Sequence, residues 1–502
     1  MRYAYGFRHV AAAALAVSLA GSAHAAELRI AMRDDPDVLD PTLATTYTGR
    51  IVFAGLCDKL FDIDQHLAIV PQLATGYEWS DSQTLIIRLR QGVKFHDGQT
   101  MDAAAVKDSL ERHLTMESSF RRPEINQIDH VDVVDPATVR VALKSPSSPF
   151  VAQLTDRAGM ILAPEAAKEG KGYGANPLCS GPFRFVERVP QDHITLERFP
   201  DYWNAAAIHV DRVIYLTMPD SSVRLANLQA GAIDIAEYII PTDAKTVEAD
   251  PRLKLVVSDA LGYHGIVNNL ANGPRADTPY GRDARVRKAF ELAIDRTALI
   301  DVVFNGVYPA SAQAIPPTSP FHVASLAPPA RDVARAKALL REAGVTPPLT
   351  VNVSVVNSPD AVQTAEVIQS MVADAGFAVK INAMEARALL NAEIQGDFEA
   401  AISYWSGRID PDGNMYTFLH TGGPLNEGHY SNPTLDSLLD QARQSADVPT
   451  RVGIYEKVWA LEAQDLPITY LWTWTNIAGM TAKLQGIVPI PDGLIRVQGL
   501  KM

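Results

Sequence analysis

Leu85, Ile87 and Leu89 share one side of an extended run and Arg88 and Arg90 the other, the period-two alternation of a half-buried strand. The run leads into Val93-Lys94-Phe95-His96-Asp97-Gly98, where Asp-Gly supplies a turn. A second alternating stretch, Val131 to Leu143, carries a hairpin signal at Asp135-Pro136. Upstream, Glu27 to Ala31 reads as a short strand, Asp40-Pro41 opens a loop, and Ile51 to Leu60 reads as an apolar helix. The first part of the chain is therefore α+β.

Beyond residue 280 the period changes. Val286, Phe290, Ala293 and Ile300 can share one face of a helix over Arg285 to Val303, and a proline-rich run, Pro309 to Pro329, predicts a long connection across the surface. Val333, Ala336, Leu340 and Ala343 then form a helical stripe closed by Gly344, followed by alternating Leu349-Val351-Val353-Val355. The unit repeats with Ala365, Ile368, Val372, Ala375 and Gly376 before Phe377-Val379-Ile381. Helix, glycine, strand, twice over, predicts an α/β unit with crossover connections. A last helix, Pro449 to Ala463, starts on a proline and precedes an apolar, aromatic strand, Ile468 to Trp474.

At 502 residues the chain is long enough for two or three domains or one large interrupted α/β unit. Its start has a different pattern from the rest. Arg2 and Arg8 precede the apolar run Ala11 to Ala20, and Ala23-His24-Ala25 follows as a small-x-small cleavage signal, so residues 1–25 read as a secretory signal peptide. No later run reaches the roughly 18 apolar residues of a membrane helix, and no cysteine stands at the cleavage region to carry a lipid. The net charge of −13 has the wrong sign for tracking phosphates, which excludes nucleic acid as the expected partner. Export places Cys57 and Cys179 in an oxidising compartment, where they can form a disulfide or remain two buried thiols.

A secreted enzyme is one functional alternative, but its usual spacings are missing: no Gly-x-Ser-x-Gly, no His-Glu-x-x-His, no phosphate loop ending in Lys-Ser/Thr. The glycine cluster Gly170 to Gly174 has Pro177 where a third dinucleotide glycine would fall. The histidines are scattered, His420 and His429 lacking a partner at ligand spacing, so neither a metal nor a cofactor is expected.

Eight segments taken together resemble the family 5 extracellular solute-binding proteins, the peptide, nickel and related binders of ABC importers. They are Leu56-Cys57-Asp58-Lys59-Leu60-Phe61-Asp62; Pro71-Gln72-Leu73-Ala74 with Trp79; Leu89 to Gly98; Ser180-Gly181-Pro182-Phe183; Leu196 to Trp203; Leu228 to Asp234; Val286 to Phe290 with Ala293 to Arg296; and Leu339 to Gly344. The specificity lies in their joint order over nearly all of the exported chain.

The resemblance implies a two-lobed α/β periplasmic binding protein of the large type II class, with an extra subdomain in lobe I and two hinge crossings. It implies lobe I at 26–57 and 179–265, the inserted subdomain at 58–178, lobe II at 266–482 and a return to lobe I at 483–502, with crossings near His264 to Asn269 and Thr481 to Ile487. It also implies a Cys57–Cys179 disulfide, a monomer in the periplasm, and delivery of a small polar solute to ABC permease subunits with cytoplasmic ATPases. A nickel or metal-chelate binder is an alternative within the fold, with direct metal capture disfavoured because His264 is the single histidine expected in the cleft. The expected ligand-facing residues are Tyr47, His264, Asn269, Trp405, Arg408 and Asp410. Dipeptide and oligopeptide binders carry an acidic residue shortly after this tryptophan to hold an α-ammonium, and here Gly407-Arg408 stands instead. Arg408 then either grips a carboxylate or phosphate in a bidentate fork or pairs with Asp410 or Asp412.

Overall fold

The computed structural model describes Met1 and residues 26–502, so the signal-peptide reading lies outside the described residues apart from Met1. Ten strands carry the architecture: β1 (Glu27–Met32), β2 (Phe183–Val189), β3 (His193–Arg198), β4 (Arg212–Thr217), β5 (Ile235–Ala236), β6 (Leu253–Asn268), β7 (Leu349–Val356), β8 (Phe377–Met384), β9 (Ala400–Trp405) and β10 (Ile468–Thr481). They form one sheet in the order β8-β7-β9-β6-β10-β5-β1-β4-β3-β2. β7 and β8 are parallel and pair Val351 with Val379 and Val353 with Ile381, so the two alternating runs reinforce each other across the crossover helix Pro359–Ala373.

β6 and β10 run antiparallel through the middle and belong to both halves of the sheet. Leu253–Asp259 pairs with Thr475–Thr481 on the β5 side, the ladder breaks between Asp259 and Tyr263, and Tyr263–Val267 then pairs with residues of Ile468–Thr473 beside β9. The break lies just before His264–Asn269, where the resemblance implies the first crossing. A second register shift follows between His264 and Gly265, which pair with Trp472 and Tyr470 on β10, while the β9 edge of the same stretch stays in regular register.

Between β1 and β2 an inserted region builds its own antiparallel sheet from Ala74–Asp81, Thr84–Leu89, Thr138–Leu143 and Ile128–Asp135, packed against helix Ala103–Thr115. Cys57 and Cys179 form a disulfide at the neck of this insertion, with Cα atoms 4.9 Å apart across 122 residues of sequence. Closing a loop of that length removes unfolded-state entropy equivalent to about 5 kcal/mol in the chain-entropy description. One apolar core, including Leu28, Phe53, Val106 and Val213, spans the insertion and the β1 half; another, including Phe290, Val353, Ile368 and Phe377, fills the β7 half.

Three local expectations change. The helix read over Arg285 to Val303 is two helices, Ala284–Ala293 and Arg296–Phe304, because Asp295 stops one and caps the next by accepting from the Ala298 N–H. The apolar helix near Ile51 starts earlier, at Tyr47, where Thr46 supplies the cap. The proline-rich connection is not a surface loop. Gln313, Ala314, Ile315 and Val323 are buried, and Gln313 satisfies the backbone of Val323 in both directions.

Candidate functional site

Where the sheet passes from one half to the other, its strands bring aromatic rings together on one face. Register places His264 beside Tyr404 on β9 and beside Trp472 on β10, and the period of two adds Trp474. The His264 ring stacks 4.5 Å from Trp474, 4.7 Å from Trp472 and 5.6 Å from Tyr404. Tyr238, following β5, stacks on Trp474 at 5.5 Å. Arg33, just beyond β1, lays its guanidinium 4.1 Å over Tyr238 and 4.8 Å over Trp474 and forks onto Glu237. Burial and the Arg33 charge hold His264 well below the usual histidine range, so its ring is neutral at pH 7.

This aromatic floor opens into two adjoining cavities of about 180 Å³ each, which share Asp34, Glu385, Ser403 and Tyr404. The first also takes in Arg33, Arg224 and the start of helix Pro359–Ala373. Tyr47, Trp405, Glu393 and Glu427 line the second. The lining is largely apolar, and its carboxyl groups outnumber its cations. Burial pushes Asp34 up to about 6 and Glu393 up to about 7, the Ser403 hydroxyl that donates to Glu393 restraining the latter. Glu427 is pushed well above the carboxylate range by burial and by facing Glu393. Neither Glu393 nor Glu427 has an ion-pair partner among the described residues, so burial favours the protonated form of each.

The residues anticipated from the sequence separate into two groups. Tyr47, His264 and Trp405 line the cavities; Tyr47 is steadied by donating to the Gly493 carbonyl at 2.8 Å, and Trp405 by donating to Asn414 Oδ1 at 3.0 Å. Asn269 and Asp410 are placed differently. Asn269 is fully buried and spends its amide on the backbone of Asn272 and Phe398, so it fastens a loop. Asp410 accepts both terminal nitrogens of Arg451, at 2.8 and 2.6 Å.

Arg408 does not pair with Asp410 or Asp412. Its Nε lies 2.6 Å from Asp156, a residue of the inserted region, while Asp412 belongs to Arg443 and to Gln153. Arg50 adds a bond to Ser406, and the Ser148 hydroxyl donates to the Ser445 carbonyl and Arg443 to the Pro123 carbonyl, so the two sides of the cleft touch through several polar contacts. Gly407 makes this path possible: its φ of 82° suits only glycine, and a Cβ there would stand 2.1 Å from the Leu261 backbone.

The sequence reading does not reach several residues of the site: Arg33, Asp34, Tyr238, Trp474, Glu393 and Glu427. Trp472 and Trp474 carry a signal in their i, i+2 spacing on a strand already recognised. The two glutamates carry none, because they meet from a helix and a loop far apart in sequence.

Comparison with known proteins gives one consistent picture. The family described as bacterial extracellular solute-binding proteins, family 5 Middle, matches residues 68–426. The glutathione-binding protein GsiB of Pectobacterium atrosepticum is 31% identical over 475 residues, covering 91% of this chain and 90% of that protein. The structure of AgaA from A. tumefaciens R10 in complex with agropinic acid is 26% identical, with a TM-score of 0.86 over 95% of this chain and 98% of that one. The murein tripeptide binding protein MppA of Escherichia coli, 22% identical, shares the fold with a TM-score of 0.88 over 95% of this chain and 98% of that one.

Proposed function

The chain belongs to the bacterial extracellular solute-binding proteins of family 5, and from that premise we propose that it captures a peptide-like solute carrying a free ammonium group in the cleft between its two lobes. The carrying observation is the pair Glu393 and Glu427, two acidic groups without cationic partners lining a cavity walled by Trp405 and Tyr404. An ammonium beside them would favour the ionised carboxylate form that burial opposes, and would donate hydrogen bonds to both. The name of a relative supports a peptide-like solute: it is a glutathione-binding protein, and glutathione is a tripeptide with one ammonium.

In this reading the protein works in the periplasm and hands its solute to the membrane subunits of an ABC importer. The lobes are 26–259 with 475–502, and 263–473, hinged at the ladder break between Asp259 and Tyr263 and at Thr473–Thr475. Ligand closes the hinge only to the extent that it binds the closed arrangement more tightly than the open one. The role is binding without turnover.

A thermal-shift and calorimetric screen with glutathione, tripeptides and opine-type conjugates tests this, each compared with its N-acetylated form. Free-amine ligands should raise the melting temperature and acetylated ones should not. Equal response to both forms overturns the ammonium assignment, and chemical change of a bound compound overturns the binding role.

A further inference from the structure

Trp405 also borders a smaller cavity of about 20 Å³, lined by Arg121, Arg157 and Arg408 together with Glu124, Thr45 and Leu425. The three arginine side chains are nearly sealed from solvent, at 4%, 1% and 9% exposure. Each is anchored by part of its guanidinium: Arg121 by Glu124 and the Ala44 carbonyl, Arg157 by the same carbonyl at 2.6 Å, Arg408 by Asp156. Each also keeps a buried N–H without a partner, at Arg121 Nε, Arg157 Nε and Arg408 Nη2.

The charges do not balance. Arg50 joins the three arginines around Asp156 and Glu124, which makes four cations against two carboxylates. Burial and the neighbouring Arg50 push Arg408 down to about 10, so it remains charged at neutral pH. Water could fill the volume but would leave the excess charge in place. Buried guanidinium groups with unmade hydrogen bonds are costly, and an anionic oxygen accepting from them would remove both penalties.

We propose that this pocket binds a single monovalent anionic group, held by Arg121, Arg157 and Arg408. Two sources fit the chemistry: the carboxylate of the captured solute and a free inorganic ion such as chloride. The solute cavity is its immediate neighbour, because Thr45, Trp405 and Leu425 line both this pocket and the cavity of Glu393 and Glu427. That arrangement rests on the reading of the cleft as the solute site, and it makes the preferred solute a zwitterion, its ammonium beside Glu393 and Glu427 and its carboxylate in the pocket. Arg408 then serves an anion after all, with the edge of its guanidinium that Asp156 does not use.

The test uses the ligand-free exported chain in a gluconate buffer, an anion too bulky for the pocket, with formate or chloride substituted at constant ionic strength. Replacing 100 mM gluconate should raise the melting temperature by about 2 °C or more, and Arg157→Gln and Arg408→Gln should abolish the rise. A larger rise with formate assigns a carboxylate, and a larger rise with chloride assigns a free ion; either supports the pocket. No rise with either anion, or an equal rise in wild type and both variants, overturns it. Should a variant fail to fold, bromide soaked into wild-type crystals decides: anomalous density among the three guanidinium groups supports the proposal, and its absence refutes it. Because no solute is added, this arm is readable even if no peptide binds the cleft.

Discussion

Two kinds of charged centre sit within a few residues of each other around Trp405. Asp410 and Arg451 form a closed pair: two charges, two short bonds, and an added bond from Arg451 to the Tyr455 hydroxyl. Glu393 with Glu427, and separately the arginine group, are open: the two glutamates face each other without an ion-pair partner among the described residues, and the arginines keep buried N–H groups without hydrogen bonds. Both kinds are buried, so burial does not distinguish a site from a strut. What distinguishes them is whether the chain itself completes the charge balance. A closed pair holds segments together, and an open group stores a cost that a bound partner relieves.

The largest effect should come from breaking the closed pair. Asp410→Ala leaves Arg451 buried and uncompensated, which costs about 3 to 5 kcal/mol of folding stability. Denaturant unfolding should show that loss, while ligand affinity, measured where the variant is folded, should stay within a few-fold of wild type. A large affinity loss without a stability loss would make Asp410 part of the site and dissolve the contrast. Glu427→Gln should do the reverse. Removing one partner of a charged contact to the ligand ammonium weakens binding by roughly 30-fold, about 2 kcal/mol, while the ligand-free protein, relieved of a like-charge neighbour, melts no lower than wild type. Calorimetry with a free-amine peptide and a melting curve on the same sample separate the two outcomes.

How far the sequence discloses this depends on whether the information is local. The helix-glycine-strand repeats at Val333–Val355 and Ala365–Ile381 reappear as β7, β8 and their crossover helix, because periodicity and turn chemistry are local properties. Tyr47, His264 and Trp405 were legible through motif order and do line the cleft. Asn269 was misplaced because strand register, not proximity in sequence, decides which residues beside His264 face the cavity. For Arg408 the sequence offered two neighbouring aspartates, yet the partner is Asp156, some 250 positions earlier and brought over by lobe packing. No local rule reaches that far. The open centres were illegible for the same reason, since each is assembled from at least two separate stretches.

A pH titration probes the open centre without any mutation. Glu393 is raised to about 7 in the folded chain against an ordinary glutamate value near 4.5 when unfolded, and Asp34 is raised to about 6. Below about 4.5 both states are protonated and the shift costs nothing. Between there and 7 the folded chain binds more protons than the unfolded one, so stability contributed by these groups falls as pH rises and is fully lost above 7. The ligand-free protein should therefore grow less stable from pH 5 to 7.5, and Glu393→Gln should flatten that slope. An ammonium ligand reverses the trend, because it favours the charged carboxylates and its affinity should increase over the same window. A slope unchanged in Glu393→Gln would show that Glu393 is not the group responsible.

The smallest effect is expected at a closed pair on the surface, and it isolates burial from charge matching. Arg88 and Glu78 form an ion pair at 2.6 Å on the inserted sheet, but their side chains are 55% and 59% exposed. Water solvates each partner nearly as well as the other does, and ordering two long side chains offsets much of the attraction, so pairs of this kind contribute about 0.2 to 1 kcal/mol. Arg88→Ala should lower the melting temperature by no more than about 2 °C, should lose even that in 1 M salt, where screening acts over about 3 Å, and should leave ligand affinity unchanged. Against the Asp410→Ala result, this measures what desolvation adds to an otherwise similar contact. Should the two variants lose equal stability, matching alone would govern the energetics, and the excess charge at Glu393, Glu427 and the arginine group would no longer mark those centres as places for a ligand.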